Sequence, residues 1–211
     1  MFIAFNYVNA QTEIFKDNGS WFTLTNKIKV SEKLYITNVT QQRRVGFLKN
    51  TQAFLIAPSI NYKISKNVSV GAGYMHYTYF PYGVIPTPIQ KEETRFFQDL
   101  VLSSTLGNVK LSNRFRFEER VIELVNTNVN PNEIDGEKHA NRFRYRIQAT
   151  ANLVKLKNDT YIMGRLSNEI RIRFETGISE PDFDQNNFAA LLGYKLLPNS
   201  TVWLGYGRYY F

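Results

Sequence analysis

Three segments of this chain alternate between polar, mostly charged, and apolar residues, broken only at Glu119: 114–120 reads RFRFEER, 142–148 reads RFRYRIQ and 171–175 reads RIRFE. Only an extended strand, whose successive side chains point to opposite faces, keeps two such sets apart; a helix would mix them around its axis. Arg114, Arg116, Glu118 and Arg120 therefore share one face, against Phe115, Phe117 and Val121. Arg142, Arg144, Arg146 and Gln148 oppose Phe143, Tyr145 and Ile147, and Arg165, Glu169, Arg171, Arg173 and Glu175 oppose Leu166, Ile170, Ile172 and Phe174. The likeness among the segments is what consecutive strands with a common inside and outside produce, and no duplication is needed to explain it.

Alternation of this kind runs along almost the whole chain and is broken by turn-rich stretches such as Lys157-Asn158-Asp159 and Pro198-Asn199-Ser200. It predicts strands over 19–30, 33–44, 52–63, 67–80, 93–105, 109–124, 139–154, 160–175, 186–196 and 201–211, with long loops at 80–92, 125–138 and 176–185. The expected fold is all-β: a single antiparallel up-and-down transmembrane β-barrel of about ten strands, with twelve as the alternative count. Several segments exceed the roughly 9 to 11 residues that cross a bilayer at a tilt.

Composition agrees with a barrel and excludes several chemistries. Mean hydropathy is −0.33, and no run approaches the roughly 20 apolar residues of a spanning helix. A barrel strand averages a polar and an apolar face, which gives such middling values. There is no Cys among the 211 residues, which removes disulfides, thiolate metal sites and thiol nucleophiles. Residues 1–10, ending Val8-Asn9-Ala10 before Gln11, read as the remnant of a secretory signal, although a short apolar strand would look similar. The expected organisation is then an N-terminal segment over 11–18 and one barrel domain over 19–211.

Alternation cannot say which face is inside, because a soluble barrel alternates equally well. Chemistry decides for a membrane barrel. Arg114, Arg116, Glu118, Arg120, Arg142, Arg144, Arg146, Arg165, Glu169, Arg171, Arg173 and Glu175 can neutralise one another across strands in a narrow lumen, leaving the apolar face to lipid. Aromatic residues cluster at Tyr74, Tyr77, Tyr79, Phe80 and Tyr82, and at Tyr206, Tyr209, Tyr210 and Phe211, as an interfacial girdle would. The closing TVWLGYGRYYF resembles the C-terminal assembly signal of outer-membrane barrels through Trp203, Tyr209 and Phe211.

With the faces so assigned, the chain resembles an uncharacterised, domain-of-unknown-function family of small bacterial outer-membrane barrels, frequent in Bacteroidota. The resemblance spans about residues 20–211 and rests on Trp21, Glu93-x-Arg95 with Gln98, Asn113-Arg114-x-Arg116-x-Glu118-x-Arg120, Asn141-Arg142-x-Arg144 and Gly205-Tyr206. It implies fold and location in the Gram-negative outer membrane and transfers no catalytic or binding residue.

Catalysis, cofactors and metals find little support in the residues. The two histidines, His76 and His139, lack a nucleophile setting such as G-x-S-x-G. Glu180, Asp182 and Asp184, and Glu133, Asp135 and Glu137, lack calcium-loop spacing and read as solvated acids. The net charge of +8 does not imply nucleic-acid binding, because alternation sends Arg and Phe to opposite faces. The expectation is a non-enzymatic outer-membrane barrel with a charged, largely closed lumen and a structural or interaction role, with no catalytic, cofactor or metal residues. A narrow anion-preferring channel is the alternative, and a lipid-modifying barrel enzyme the second. Expected partners are outer-membrane lipid, the barrel-assembly machinery during biogenesis, and other outer-membrane or periplasmic proteins. If Phe211 ends at the periplasmic rim, all three long loops lie on that side, which favours a periplasmic or lateral partner.

Overall fold

The computed structural model describes residues 18–84, 86–156, 160–175, 181–197 and 199–210. The expected leader at 1–10 and the terminal Phe211 lie outside them. The strands are β1 (Ser20–Lys29), β2 (Leu34–Val45), β3 (Asn50–Lys63), β4 (Val68–Tyr79) and β5 (Lys91–Leu106), then β6 (Val109–Asn126), β7 (Glu133–Lys155), β8 (Tyr161–Glu175), β9 (Asp182–Leu197) and β10 (Ser200–Tyr210).

Each strand pairs antiparallel with the next, and the sheet order is β1 through β10 without a crossover. The up-and-down meander of ten strands is therefore as the alternation predicts. The sheet curls into a half-barrel. No ladder joins β1 to β10 among the described residues, yet side chains bridge the two edges. The Trp21 and Tyr209 rings stack at 4.4 Å, and the Arg43 guanidinium lies 3.6 Å from the Trp21 ring.

Turns at one rim are short. Gly107 and Asn108 alone connect β5 to β6, and Gly107 takes φ +59°, the left-handed conformation that two-residue hairpins with strand-matching twist require. At the other rim two connections are shorter than expected. β6 continues to Asn126 and β7 already begins at Glu133, the two pairing with a register shift between Glu123 and Val125. β9 begins at Asp182, not 186, and its leading acids pair with arginines on β7 and β8. Those acids had read as loop.

The concave side is filled in two ways. From β3 to β5, Ala53, Leu55, Ala57, Met75, Tyr77 and Phe97 form an apolar cluster, with Val39 and Tyr79 packed against it. From β5 to β9 the filling is ionic. Outside, Phe54, Ile56, Ile60, Leu166, Leu192 and Leu204 are exposed, so β3 is apolar on both faces.

The aromatic cluster of β4 divides between the faces. Tyr77 is 3% exposed and belongs to the interior, whereas Tyr74 is 37% exposed on the convex side. Tyr79 likewise turns inward onto Glu93. The expected girdle is corrected here by parity: residues an odd number apart on a regular strand point opposite ways. The end of β10 behaves the same way, with Tyr206 and Tyr210 exposed and Tyr209 turned in against Trp21.

Candidate functional site

Strand register stacks the inward residues of β5 to β9 into layers. One layer is Phe97, Glu118, Arg142, Arg173 and Asp182, and the next is Asp99, Arg116, Arg144, Arg171 and Gln185. The third is Val101, Arg114, Arg146, Glu169 and Asn187. The middle layer places three arginines side by side on adjacent strands, an arrangement that is repulsive within the layer. Glu118 above and Glu169 below resolve it by pairing diagonally.

Glu118 has no exposed surface. Its Oε2 accepts from Arg142 Nη2 at 2.6 Å and Nε at 2.9 Å, and its Oε1 from Arg144 Nη1 at 2.6 Å. The other side of the Arg144 fork donates to Glu169 Oε1, from Nη2 at 2.6 Å and Nε at 3.1 Å. Glu169 also accepts from Arg171 Nε at 3.0 Å and Arg114 Nη2 at 2.5 Å. Asp99 takes both arms of Arg116 at 2.7 Å each. Planar guanidinium forks suit this work because each can serve two carboxylates in different layers.

A second knot lies at the loop-side rim. Glu93, 1% exposed, accepts from Arg95 Nε at 2.6 Å, Arg120 Nε at 2.5 Å and the Tyr79 hydroxyl at 2.7 Å. Arg142 Nη1 donates to Asp184 at 3.0 Å and Arg173 Nη2 to Asp182 at 2.6 Å. The ionic and apolar halves meet where Arg116 lies 3.7 Å over Phe97 and Arg95 lies 5.0 Å from Tyr77.

The structure thus brings together Arg114, Arg116, Glu118, Arg120, Arg142, Arg144, Glu169, Arg171 and Arg173. Arg146 belongs to the third layer, with its Nε buried and unpartnered, as is that of Arg165 nearer the short-turn rim. The Glu175 side chain lies outside the described set. Sequence reasoning missed the β5 contribution of Glu93, Arg95 and Asp99. Its signal was present in the alternation of Glu93-x-Arg95-x-Phe97-x-Asp99, diluted by a single apolar member. It also missed Asp182, Asp184 and Gln185, which had been assigned to a loop.

The remaining candidates fall elsewhere. Trp203 packs beneath Arg165 at 3.8 Å. His76 faces outward, 3.6 Å from Glu92, and His139 is exposed on β7 opposite Val121.

These features define an up-and-down antiparallel half-barrel with an ion-paired concave face. The chain belongs to the family described as Protein of unknown function (DUF2490), whose model matches residues 18–211. No curated protein and no solved structure matches it.

Proposed function

We propose that this chain is an integral outer-membrane barrel of a Gram-negative bacterium whose ion-paired interior closes the lumen and braces the wall. It serves a structural or interaction role in an outer-membrane assembly and catalyses no reaction. One observation carries the reading: polarity is inverted relative to a soluble barrel. The most buried large side chains are Glu93 and Glu118, while Leu192, Leu204 and Tyr206 stand 62%, 81% and 68% exposed. A soluble fold buries its leucines and solvates its carboxylates; the reverse suits a wall with hydrocarbon outside. Strand length supports the same reading, since even the 10 residues of β1, at about 3.3 Å per residue, reach across a tilted apolar band.

The start of β1 and the end of β10 share the rim that carries the 80–90 and 127–132 connections. Placed in the periplasm, that rim offers its loops to a periplasmic or lateral partner. Extraction of membranes from expressing cells with alkaline carbonate tests the core of the proposal. The chain stays in the outer-membrane pellet if the reading holds, and release into the aqueous supernatant refutes it.

A narrow anion-preferring channel is the second reading, favoured by one feature: the Nε atoms of Arg114 and Arg146 are buried without hydrogen-bond partners. Steady anion-selective conductance from the unmodified protein would select it.

A further inference from the structure

The rim with the short turns opens into a cavity of about 620 Å³ with a chemistry unlike that of the ionic layers. Lys27, Lys63, Lys66, Lys110 and Arg165 line it, and no Asp or Glu does. Among the ionic layers most arginines are held by carboxylates; none of these five cations makes an ion pair among the described residues. The Nε of Arg165 is buried and has no hydrogen-bond partner.

Two of the five are held in place by rings. Lys27 Nζ sits 3.7 Å over Tyr35, and Arg165 sits 3.8 Å over Trp203. Register sets Thr105, Lys110, Thr150 and Arg165 on one level, with Ser103, Ser112 and Gln148 on the level beneath. The walls therefore present ammonium and guanidinium groups interleaved with hydroxyl and amide donors. Beneath them lie the three layers of paired arginines and carboxylates.

We infer that this cavity is a blind vestibule that binds a multiply charged, phosphate-bearing anion entering from the short-turn rim. Clustered like charges in a concave site attract a polyvalent counter-ion, and phosphate oxygens accept from ammonium, guanidinium and hydroxyl donors alike. The volume suits a small phosphorylated molecule or a lipid phosphate headgroup. The inference goes beyond the proposed function and does not need it, since the cavity is formed by the sheet itself.

Trp203 makes the site visible. The chain has two tryptophans, and Trp21 lies at the opposite rim, so Trp21→Phe leaves Trp203 as the one indole emitter. Inorganic tripolyphosphate titrated into the detergent-folded W21F protein at constant ionic strength saturably changes its emission. Replacing Lys63 and Lys110 by Gln together weakens this by about tenfold or more, the expected loss of charge-assisted bonds, whereas Lys49→Gln at the far rim leaves it unchanged. Far-UV circular dichroism confirms that each variant is folded. Nanodiscs of phosphatidylcholine with and without phosphatidic acid separate the sources. An emission change in phosphatidic acid alone, lost in the double variant, assigns a lipid headgroup, and a response to dissolved tripolyphosphate only assigns a soluble ligand. A folded protein that shows no saturable response to either, or a response equal in the double variant, overturns the inference.

Discussion

Arg144 donates to Glu118 at 2.6 Å on one side and to Glu169 at 2.6 Å on the other, so a single guanidinium ties two carboxylates from the layers on either side of its own. All three side chains are almost fully buried. Buried charges persist only when paired, and removal of one partner strands the others.

Glu118→Gln keeps the shape of the side chain and removes its charge, leaving Arg142 and Arg144 short of a counter-ion. The folded protein is expected to lose about 3 to 5 kcal/mol, read as a fall in the urea midpoint of the refolded protein. Glu32→Gln, at an exposed pair with Lys29, leaves the midpoint where it is. Equal behaviour of the two variants would show that the buried pairs do not brace the wall.

On the proposed reading the same network closes the lumen. In planar bilayers the unmodified protein is expected to be electrically silent, while the combined Arg144→Ala, Arg171→Ala variant leaks, since both arginines sit in the middle layer. Steady steps from the unmodified protein contradict closure.

The seam between β1 and β10 is held by side chains, chiefly Trp21 on Tyr209. Trp21→Ala removes that stack and the seat of Arg43, so about 0.5 to 1.5 kcal/mol of ring pairing is lost in addition to buried area. Limited proteolysis should then cut within β1 sooner than in the unmodified protein, and Trp21→Phe should restore most of the protection. Unchanged cleavage in Trp21→Ala would mean that the edges are joined by something other than this stack.

Two glycines on β10 differ in what a methyl group would meet. At Gly205 it would run into the Ala190 carbonyl oxygen, a backbone atom that cannot swing aside. At Gly207 the nearest atom is the Tyr209 hydroxyl at 3.0 Å, the end of a rotatable side chain. Gly205→Ala is therefore expected to destabilise by about 1 to 3 kcal/mol and Gly207→Ala by clearly less, in the same urea titration. The reverse order would contradict the packing of β9 against β10.

Much of this was legible in the sequence because period-two alternation states both the strand and its faces. The RFRFEER, RFRYRIQ and RIRFE segments fell on β6, β7 and β8, with Arg114, Arg116, Glu118, Arg120, Arg142, Arg144, Arg146, Arg171 and Arg173 inward and Glu119 outward. Legibility failed where composition imitated another element. Asp182 and Asp184 looked like loop acids because their partners, Arg173 and Arg142, sit on other strands. Tyr77 and Tyr79 looked like interfacial girdle members because clustering was read without parity, although their odd positions set them inside with Met75. The apolar half of the interior was hidden as well, since β3 is apolar on both faces and carries no alternation to mark which residues turn in.

The central claim is that the convex face meets lipid. Because the chain has no Cys, single cysteines at Leu204 and Ile147, which stand 81% and 44% exposed, can carry a bimane label without background. With the protein refolded into vesicles, a lipid-tethered nitroxide is predicted to quench both labels while aqueous iodide leaves them bright. Quenching of both by iodide, with the nitroxide without effect, would contradict the account at its root and return the chain to the class of water-exposed sheets.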